Sequence, residues 1–99
     1  MKRIVYNIEA RFDVLEIVEY YEQVGGVQLA DRFTSELQRF IEAIAQRPES
    51  YPTQSRTVRR ANLTRFPHHV LFRVIDDDTI KIISVKHDHR KPSYGIRRR

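Results

Sequence analysis

The sequence predicts an α+β domain with the order β-α-α-β-β-β, in which a helical hairpin packs on one face of a small, mainly antiparallel sheet. Two observations carry this prediction. Over residues 9–46, apolar residues recur at three- and four-residue steps that are interrupted only at Gly25-Gly26, as in two amphipathic helices joined by a turn. Outside that region, β-branched and aromatic residues form short runs typical of strands. Helices and strands grouped in this way are typical of the α+β class.

Size and composition indicate a single domain over residues 1–99. The chain is 40% hydrophobic and 31% charged and has no cysteine, which allows an ordinary core and excludes disulfide and thiol chemistry. Its first residues, MKRIVYNIEARFD, contain no long apolar run, so we expect neither a signal peptide nor a membrane-spanning helix. The expected location is the cytoplasm.

The first strand and the first helix are separated by a change of period. Lys2–Ile8 alternates apolar and polar residues, as a strand does, whereas the chain follows a helical period from Glu9 to about Gln23. Gly25-Gly26 ends this helix, because glycine adopts the left-handed conformation of a helix C-terminus without steric cost. The predicted buried positions of the helix are Ala10, Val14, Ile17, Val18 and Tyr21.

The second helix is predicted from Val27 to Gln46, and Pro48 ends it, because a proline disfavours helical geometry in the preceding residue. The short connection between the two helices implies an antiparallel pair. Its predicted buried stripe is Leu29, Phe33, Leu37, Phe40 and Ile44.

The C-terminal half is predicted to be a loop followed by three strands. Glu49–Arg56 is the loop and Thr57–Arg65 the first of these strands. Val70–Ile75 and Thr79–Val85 are apolar and β-branched, and Asp76-Asp77-Asp78 between them forms the turn of a hairpin. A basic tail follows from about residue 93, and we expect its last three residues, Arg97–Arg99, to be mobile.

Charge is distributed unevenly along the chain. Residues 1–55 hold six Lys/Arg against nine Asp/Glu, a net −3, whereas residues 56–99 hold twelve against four, a net +8. A basic half of this kind indicates an acidic partner, either a nucleic acid or an acidic protein segment.

Several short motifs follow one another along the chain. A-x-x-D-x-x-E-I-x-x-Y begins at Ala10, and A-x-x-F with a following L-x-x-x-I lies in the second helix. P-E-x-Y-P begins at Pro48, R-F-P-H-H-V-L-F-R-V begins at Arg65, a D-D-x-I-x-I run follows, and V-x-H-x-x-R-x-P begins at Val85. In this order the motifs resemble the RelE/ParE superfamily of toxins from type II toxin–antitoxin systems, and most closely its ParE or plasmid-stabilisation branch. The likeness covers nearly the whole chain.

The resemblance implies a growth-inhibiting toxin held in check by a cognate antitoxin, whose acidic or amphipathic C-terminal segment wraps the toxin in a hetero-oligomer. Family members differ in target. Some cleave mRNA at the ribosome, and the ParE branch is associated with poisoning DNA gyrase. On the ParE interpretation, the residues that bind antitoxin or target are Arg59, Arg60, Arg65, Arg73, Lys86, Arg90, Lys91 and Tyr94.

The alternative interpretation is a ribosome-dependent mRNA endoribonuclease of the RelE type. Metal-free RNA cleavage requires a base, an acid and cations that stabilise the phosphate charge. His87 and His89 are the candidates for proton transfer, because histidine titrates near neutral pH, and the candidate cations are Arg65, Arg73 and Arg90. Two departures disfavour a nuclease: His68-His69 stands where that branch commonly has an arginine, and Thr57–Arg65 contains no acidic residue.

Two further interpretations follow from the same basic half. A metal cluster of His87-Asp88-His89 with His68 or His69 is set aside, because the spacing matches no common metal motif, and we expect no cofactor. A non-catalytic nucleic-acid-binding module is the third alternative. Its phosphate contacts would come from arginines and its stacking surface from Tyr94.

Overall fold

The structure, a computed structural model, describes residues 2–88. The basic tail predicted from about residue 93 and the mobility predicted for Arg97–Arg99 therefore lie outside the described residues. The elements in chain order are β1 (Arg3–Tyr6), α1 (Ile8–Gln46), a 3₁₀ turn (Pro48–Ser50), β2 (Thr53–Ser55), β3 (Val58–Asn62), β4 (His68–Asp76) and β5 (Thr79–His87).

The strands form one five-stranded sheet in the order β1-β5-β4-β3-β2. β1 runs parallel to β5, and the other three pairs are antiparallel, so the predicted mainly antiparallel sheet is confirmed. The prediction of a plain loop over Glu49–Arg56 is wrong in part, because this segment contains most of the 3₁₀ turn and all of the edge strand β2. β2 is three residues long, too short to carry a period in sequence, and it forms because Thr53 pairs with Arg59 of β3.

The first strand is shorter than predicted. β1 ends at Tyr6, and Ile8, which the sequence assigned to the strand's apolar face, is the first helical residue and is 66% exposed. Asn7 between them has an extended backbone and its side-chain oxygen accepts a hydrogen bond from the Ile8 N–H at 3.0 Å. Asparagine is among the residues preferred at a helix N-terminus, which explains why the helix begins so early.

The predicted helical hairpin is confirmed within α1, which contains a break at Gly26. This residue has φ 78° and ψ 179°, a non-helical conformation. The ring centroids of Tyr21 and Phe33 are 5.6 Å apart, whereas twelve residues of straight helix would separate them by about 18 Å. The chain therefore doubles back, and residues 8–25 and 27–46 form what we call the first arm and the second arm.

The core lies between the two arms and the sheet. Phe33 and Ile44 of the second arm and Phe72, Ile80 and Ile82 of the sheet are fully buried. The predicted apolar stripes of both arms face this core, except for Leu29, which is only partly buried and is not among the residues that form or line the core. Five other members are also only partly buried and pack around its margin: Val14, Ile17, Val18, Tyr21 and Phe40.

The turn between β4 and β5 is formed as predicted from its three aspartates. The Asp76 carboxylate accepts a hydrogen bond from the Asp78 N–H at 2.8 Å, which closes the turn locally. The Asp78 carbonyl accepts a hydrogen bond from the Arg3 N–H at 2.6 Å. The turn therefore also ties the start of β1 to the central hairpin.

Gly26→Ala is expected to lower the free energy of unfolding by about 1–3 kcal/mol, because the conformation of Gly26 is one that essentially only glycine adopts. Apart from its chain neighbours, no described atom lies within 4 Å of a Cβ placed there, so the cost comes from the backbone alone. Urea denaturation measures it. Val24→Ala, at a helical position that is 59% exposed, is the control and should change the value by less than about 0.5 kcal/mol. An unchanged value for Gly26→Ala would argue against the break.

Candidate functional site

The two central strands are longer than predicted, and the added residues bring four polar side chains to one end of the sheet. β4 begins at His68, and β5 continues to His87. His68 pairs with His87, and His69 pairs with Lys86. The strand ends predicted from the sequence were placed at the outermost apolar residues. The hydrogen bonds between strands join backbone groups, so they continue past those residues regardless of side chain.

His68 and His87 lie on the helix side of the sheet. The His68 ring is 5.2 Å from that of Phe33 and 5.9 Å from that of Tyr21, and the His87 ring is 5.1 Å from that of His68. Burial raises the pKa of the Tyr21 hydroxyl above its ordinary value, and the neighbouring Tyr20 raises it further, so Tyr21 stays protonated at neutral pH. His87 is the described member of the predicted proton-transfer pair, and these ring distances place it beside an aromatic cluster.

His69 lies on the opposite face, in a network with Asp88 and Arg60. Its Nδ1 is 2.7 Å from an Asp88 carboxylate oxygen, and an Arg60 guanidinium nitrogen is 3.5 Å from the same oxygen. Arg60 also donates to the side-chain oxygens of Asn62 at 2.8 Å and Gln54 at 3.3 Å. A carboxylate at Nδ1 fixes the orientation of an imidazole. The sequence did not predict a role for His69 in proton transfer.

Lys86 joins β5 to the first arm. Its ammonium group is 3.1 Å from Asp13 and 3.2 Å from Glu9, and the other Asp13 carboxylate oxygen accepts the Val85 N–H at 2.9 Å. Burial lowers the pKa of Lys86, but the hydrogen bonds and charges of Asp13 and Glu9 outweigh this effect and raise it above its ordinary value. Asp13 thus binds the edge of β5 beyond the point where β1 ends. Lys86, which was predicted to bind antitoxin or target, is paired with two acidic side chains of its own chain.

The other predicted cations are distributed over both faces. Arg59 donates to the Tyr51 carbonyl at 2.6 Å, so it anchors the segment before β2. Arg73 is exposed on β4 and pairs with Lys81 of β5. Arg65 lies in the loop between β3 and β4. The remaining predicted site residues are outside the described part of the chain: His89, Arg90, Lys91 and Tyr94.

Two of the described candidates for RNA cleavage, His87 and Arg73, lie far apart in the sheet. Arg73 is five residues along β4 from His68, the partner of His87, which corresponds to about 17 Å. Alternation along β4 also places Arg73 on the face opposite His68 and His87.

A cleft beside the second arm was not predicted. Glu36 is 2% exposed, and one of its carboxylate oxygens accepts the N–H groups of Thr64 at 3.0 Å and Arg65 at 2.7 Å. Its other oxygen is 3.2 Å from Arg39. The sequence contained a signal for this buried carboxylate, since Glu36 interrupts the apolar stripe between Phe33 and Leu37. The cleft has a volume of about 540 Å³, and its lining includes Leu29, Arg32, Ser35, Glu36, Arg39, Arg65 and Phe66.

The outer face of the first arm carries an exposed apolar row. Ile8, Phe12 and Leu15 are 66%, 62% and 64% exposed, and their spacing places them on one side of the helix, away from the buried Ala10. This row is a second surface without a partner among the described residues.

Within residues 2–88, no group of three or more potential ligand side chains is placed to hold a metal ion. Over the same residues, no helix is both long enough and apolar enough to cross a membrane.

Comparison with known proteins gave one family match and several similar structures. The model of the family described as ParE toxin of type II toxin-antitoxin system, parDE, matches residues 4–92. The chain is similar to one from the chromosomal ParDE TA system of P. aeruginosa, with a TM-score of 0.76 and 21% identity, covering 88% of this chain and 96% of that one. No curated protein matched.

Two E. coli structures are also similar. The isolated RelE toxin has a TM-score of 0.62 and 14% identity, covering 99% of this chain and 98% of that one. A chain of the intact RelBE toxin-antitoxin complex has a TM-score of 0.62 and 14% identity, covering 91% and 100%. At these identities the structural similarity establishes the fold alone, and it confirms the predicted α+β architecture.

Proposed function

Since the chain belongs to the ParE toxin family of type II toxin–antitoxin systems, we propose that it inhibits bacterial growth by binding DNA gyrase rather than by cleaving RNA. A cognate antitoxin neutralises it in a hetero-oligomer, and both proteins act in the cytoplasm. The observation that carries the choice of binding over cleavage is the separation of His87 from Arg73 described above.

Binding is supported by a basic surface on the side of the sheet that faces away from the helices. Alternation along the strands, with Phe72, Ile80 and Ile82 buried on the helix side, places Arg60, Arg73 and Lys81 on the other side. Arg3 joins them, because it is two residues before Val5, the partner of Lys81. We call Arg3, Arg60, Arg73 and Lys81 the basic face. Such a surface increases the association rate with an acidic partner.

One observation favours the ribonuclease as a second candidate. The His69 ring, oriented by Asp88, lies on the same side of the sheet as Arg60 and Arg73. A histidine of fixed orientation near arginines is one part of a general acid–base site. If RNA is cleaved, we expect His69 to contribute in addition to the predicted His87 and His89.

Induction of this chain alone in bacteria separates the two candidates. We expect growth arrest with intact mRNA and an induced DNA damage response, because a poisoned gyrase leaves broken DNA. Co-expression of the cognate antitoxin should restore growth. Rapid loss of mRNA without DNA breaks would overturn gyrase binding and favour the endoribonuclease.

The double variant His87→Ala/His89→Ala is expected to keep its toxicity, because a binding surface does not depend on one proton donor. Arg73→Glu on the basic face is expected to weaken growth inhibition, since charge reversal slows association with an acidic partner. Arg47→Glu makes the same change in net charge at an exposed position that follows the second arm, and it is the matched control. Toxicity lost in the histidine variant, with the fold and antitoxin binding intact, would contradict the proposal.

The proposal also assigns part of the contact to Arg90, Lys91 and Tyr94, which lie outside the described residues. No one of the three is expected to be decisive. Alanine at each position should reduce toxicity by less than removal of all three, as measured by colony counts after induction.

A further inference from the structure

The cleft beside the second arm is a groove with one helical wall and one loop wall. Leu29, Arg32 and Arg39 line the helical wall, and their spacing of three and seven residues places them on one side of the helix. They span ten residues, which is about 15 Å of helix. Arg65 and Phe66 line the opposite wall. A groove of this length accommodates about four or five residues of an extended peptide.

Two of the three guanidinium groups in the groove are available to a ligand. Arg39 is occupied by Glu36 at 3.2 Å. Glu36 in turn holds the loop wall in place through the N–H groups of Thr64 and Arg65. In contrast, the side chains of Arg32 and Arg65 make no hydrogen bond or ion pair within residues 2–88, and they come from opposite walls.

We infer that this groove binds a short acidic peptide segment, in which a carboxylate pairs with Arg32 and Arg65 and neighbouring apolar side chains contact Leu29 and Phe66. Guanidinium groups bind carboxylates with directed, charge-assisted hydrogen bonds. The apolar residues on both walls suit a ligand that alternates acidic and apolar side chains. This inference rests on the proposed function, because a neutralising antitoxin is the partner that would carry such a segment.

The charges of the groove favour a peptide over a nucleic acid. Asp31 and Glu36 lie among its lining residues together with the three arginines, so its formal charge is only +1. A phosphate backbone presents a continuous row of negative charges and would meet both carboxylates, whereas a single side-chain carboxylate would meet only the two free guanidinium groups.

The probe for this inference is a blocked hexapeptide in which leucine and glutamate alternate, added to the full chain up to about 5 mM, a range in which millimolar affinity is measurable. NMR follows the Nε–H signals of the arginine side chains. We expect the signals of Arg32 and Arg65 to shift together. Arg32→Gln and Arg65→Gln should each weaken binding about tenfold or more, as loss of a charged hydrogen-bond partner does.

Three controls make the outcome decisive. Arg47→Gln has the same net charge as the groove variants and should bind the peptide like the unchanged chain. The same peptide with glutamine in place of glutamate should bind at least tenfold more weakly, and equal binding would overturn carboxylate recognition. A single-stranded oligonucleotide that binds with dependence on Arg32 and Arg65 would overturn the peptide assignment, as would a peptide that shifts neither signal.

Toxicity and peptide binding are measured separately. Toxicity is measured by induction without antitoxin and does not require the groove to hold a peptide. A chain that arrests growth but does not bind the glutamate peptide would refute the groove alone, whereas a chain that binds the peptide but cleaves mRNA would refute only the proposed target.

Discussion

Phe33→Ala is expected to lower the free energy of unfolding by about 3–5 kcal/mol, the range for removing a large aromatic side chain from a core. Phe33 is fully buried, and its ring lies 5.6 Å from Tyr21, 5.3 Å from Phe66 and 5.2 Å from His68. Three neighbours in three different segments cannot all move into the space that the ring leaves. Because domains of this size have a total stability of about 5–15 kcal/mol, the loss would be a large fraction of it.

Phe40→Ala is the matched comparison, because both residues belong to the same predicted stripe of the second arm. Phe40 is only partly buried at the margin of the core, so we expect its truncation to cost about 1–2 kcal/mol, less than full burial of such a side chain provides. Guanidinium denaturation of both variants measures the difference. Equal losses would contradict the described position of Phe33 at the centre of the core.

Glu36→Ala is expected to cost about 3 kcal/mol, because hydrogen bonds to a charged group contribute about 1.5–3 kcal/mol each and two backbone N–H groups would lose their acceptor. Glu36 is 2% exposed and accepts from Thr64 at 3.0 Å and from Arg65 at 2.7 Å. The same change removes the partner of Arg39. The loop between β3 and β4 would then lose its attachment to the second arm.

Glu36→Gln separates the role of the hydrogen bonds from that of the charge. The amide oxygen of glutamine can still accept the two backbone N–H groups, so we expect a loss of about 1 kcal/mol rather than 3. Hydrogen exchange at Thr64 and Arg65 provides a second readout, which should be faster in Glu36→Ala and nearly unchanged in Glu36→Gln. A Glu36→Ala protein as stable as the original would show that the buried carboxylate is not needed for the fold.

The two variants also connect stability with the groove. Glu36 lies between the core and the groove, where it holds the loop that carries Arg65 and Phe66. Phe66 itself packs against Phe33. The wall that we infer to bind a peptide is thus supported by the two side chains whose removal is expected to be most costly, so peptide binding should be tested in groove variants that keep both.

The element order was predictable because its signals are local. The apolar period of each arm, the glycines between the arms, Pro48 after the second arm and the three aspartates of the turn each act within a few residues. The errors occur where local signals are absent. β2 has only three residues, and the strand ends at His68 and His87 are polar.

The candidate site was less predictable, because neighbouring residues of one type have different partners. Arg59 and Arg60 are adjacent in sequence, yet Arg59 donates to the Tyr51 carbonyl on the helix side and Arg60 pairs with Asp88 on the other. Alternation along a strand separates their faces, but it does not identify Tyr51 or Asp88. The binding roles predicted for the basic residues stay predictions.

Sequence patterns were sufficient to predict the α+β class, the helical hairpin, the central β-hairpin and the concentration of positive charge in the second half. These depend on period, turn chemistry and composition, which are properties of short segments. Three contacts became visible only in the folded chain. Asp13 binds the edge of β5, Asp88 orients His69, and Glu36 joins the second arm to Thr64 and Arg65. Asp13 and Val85 are 72 residues apart, and Glu36 and Thr64 are 28 apart. Such contacts depend on how helices pack and strands pair, and no short segment contains that information.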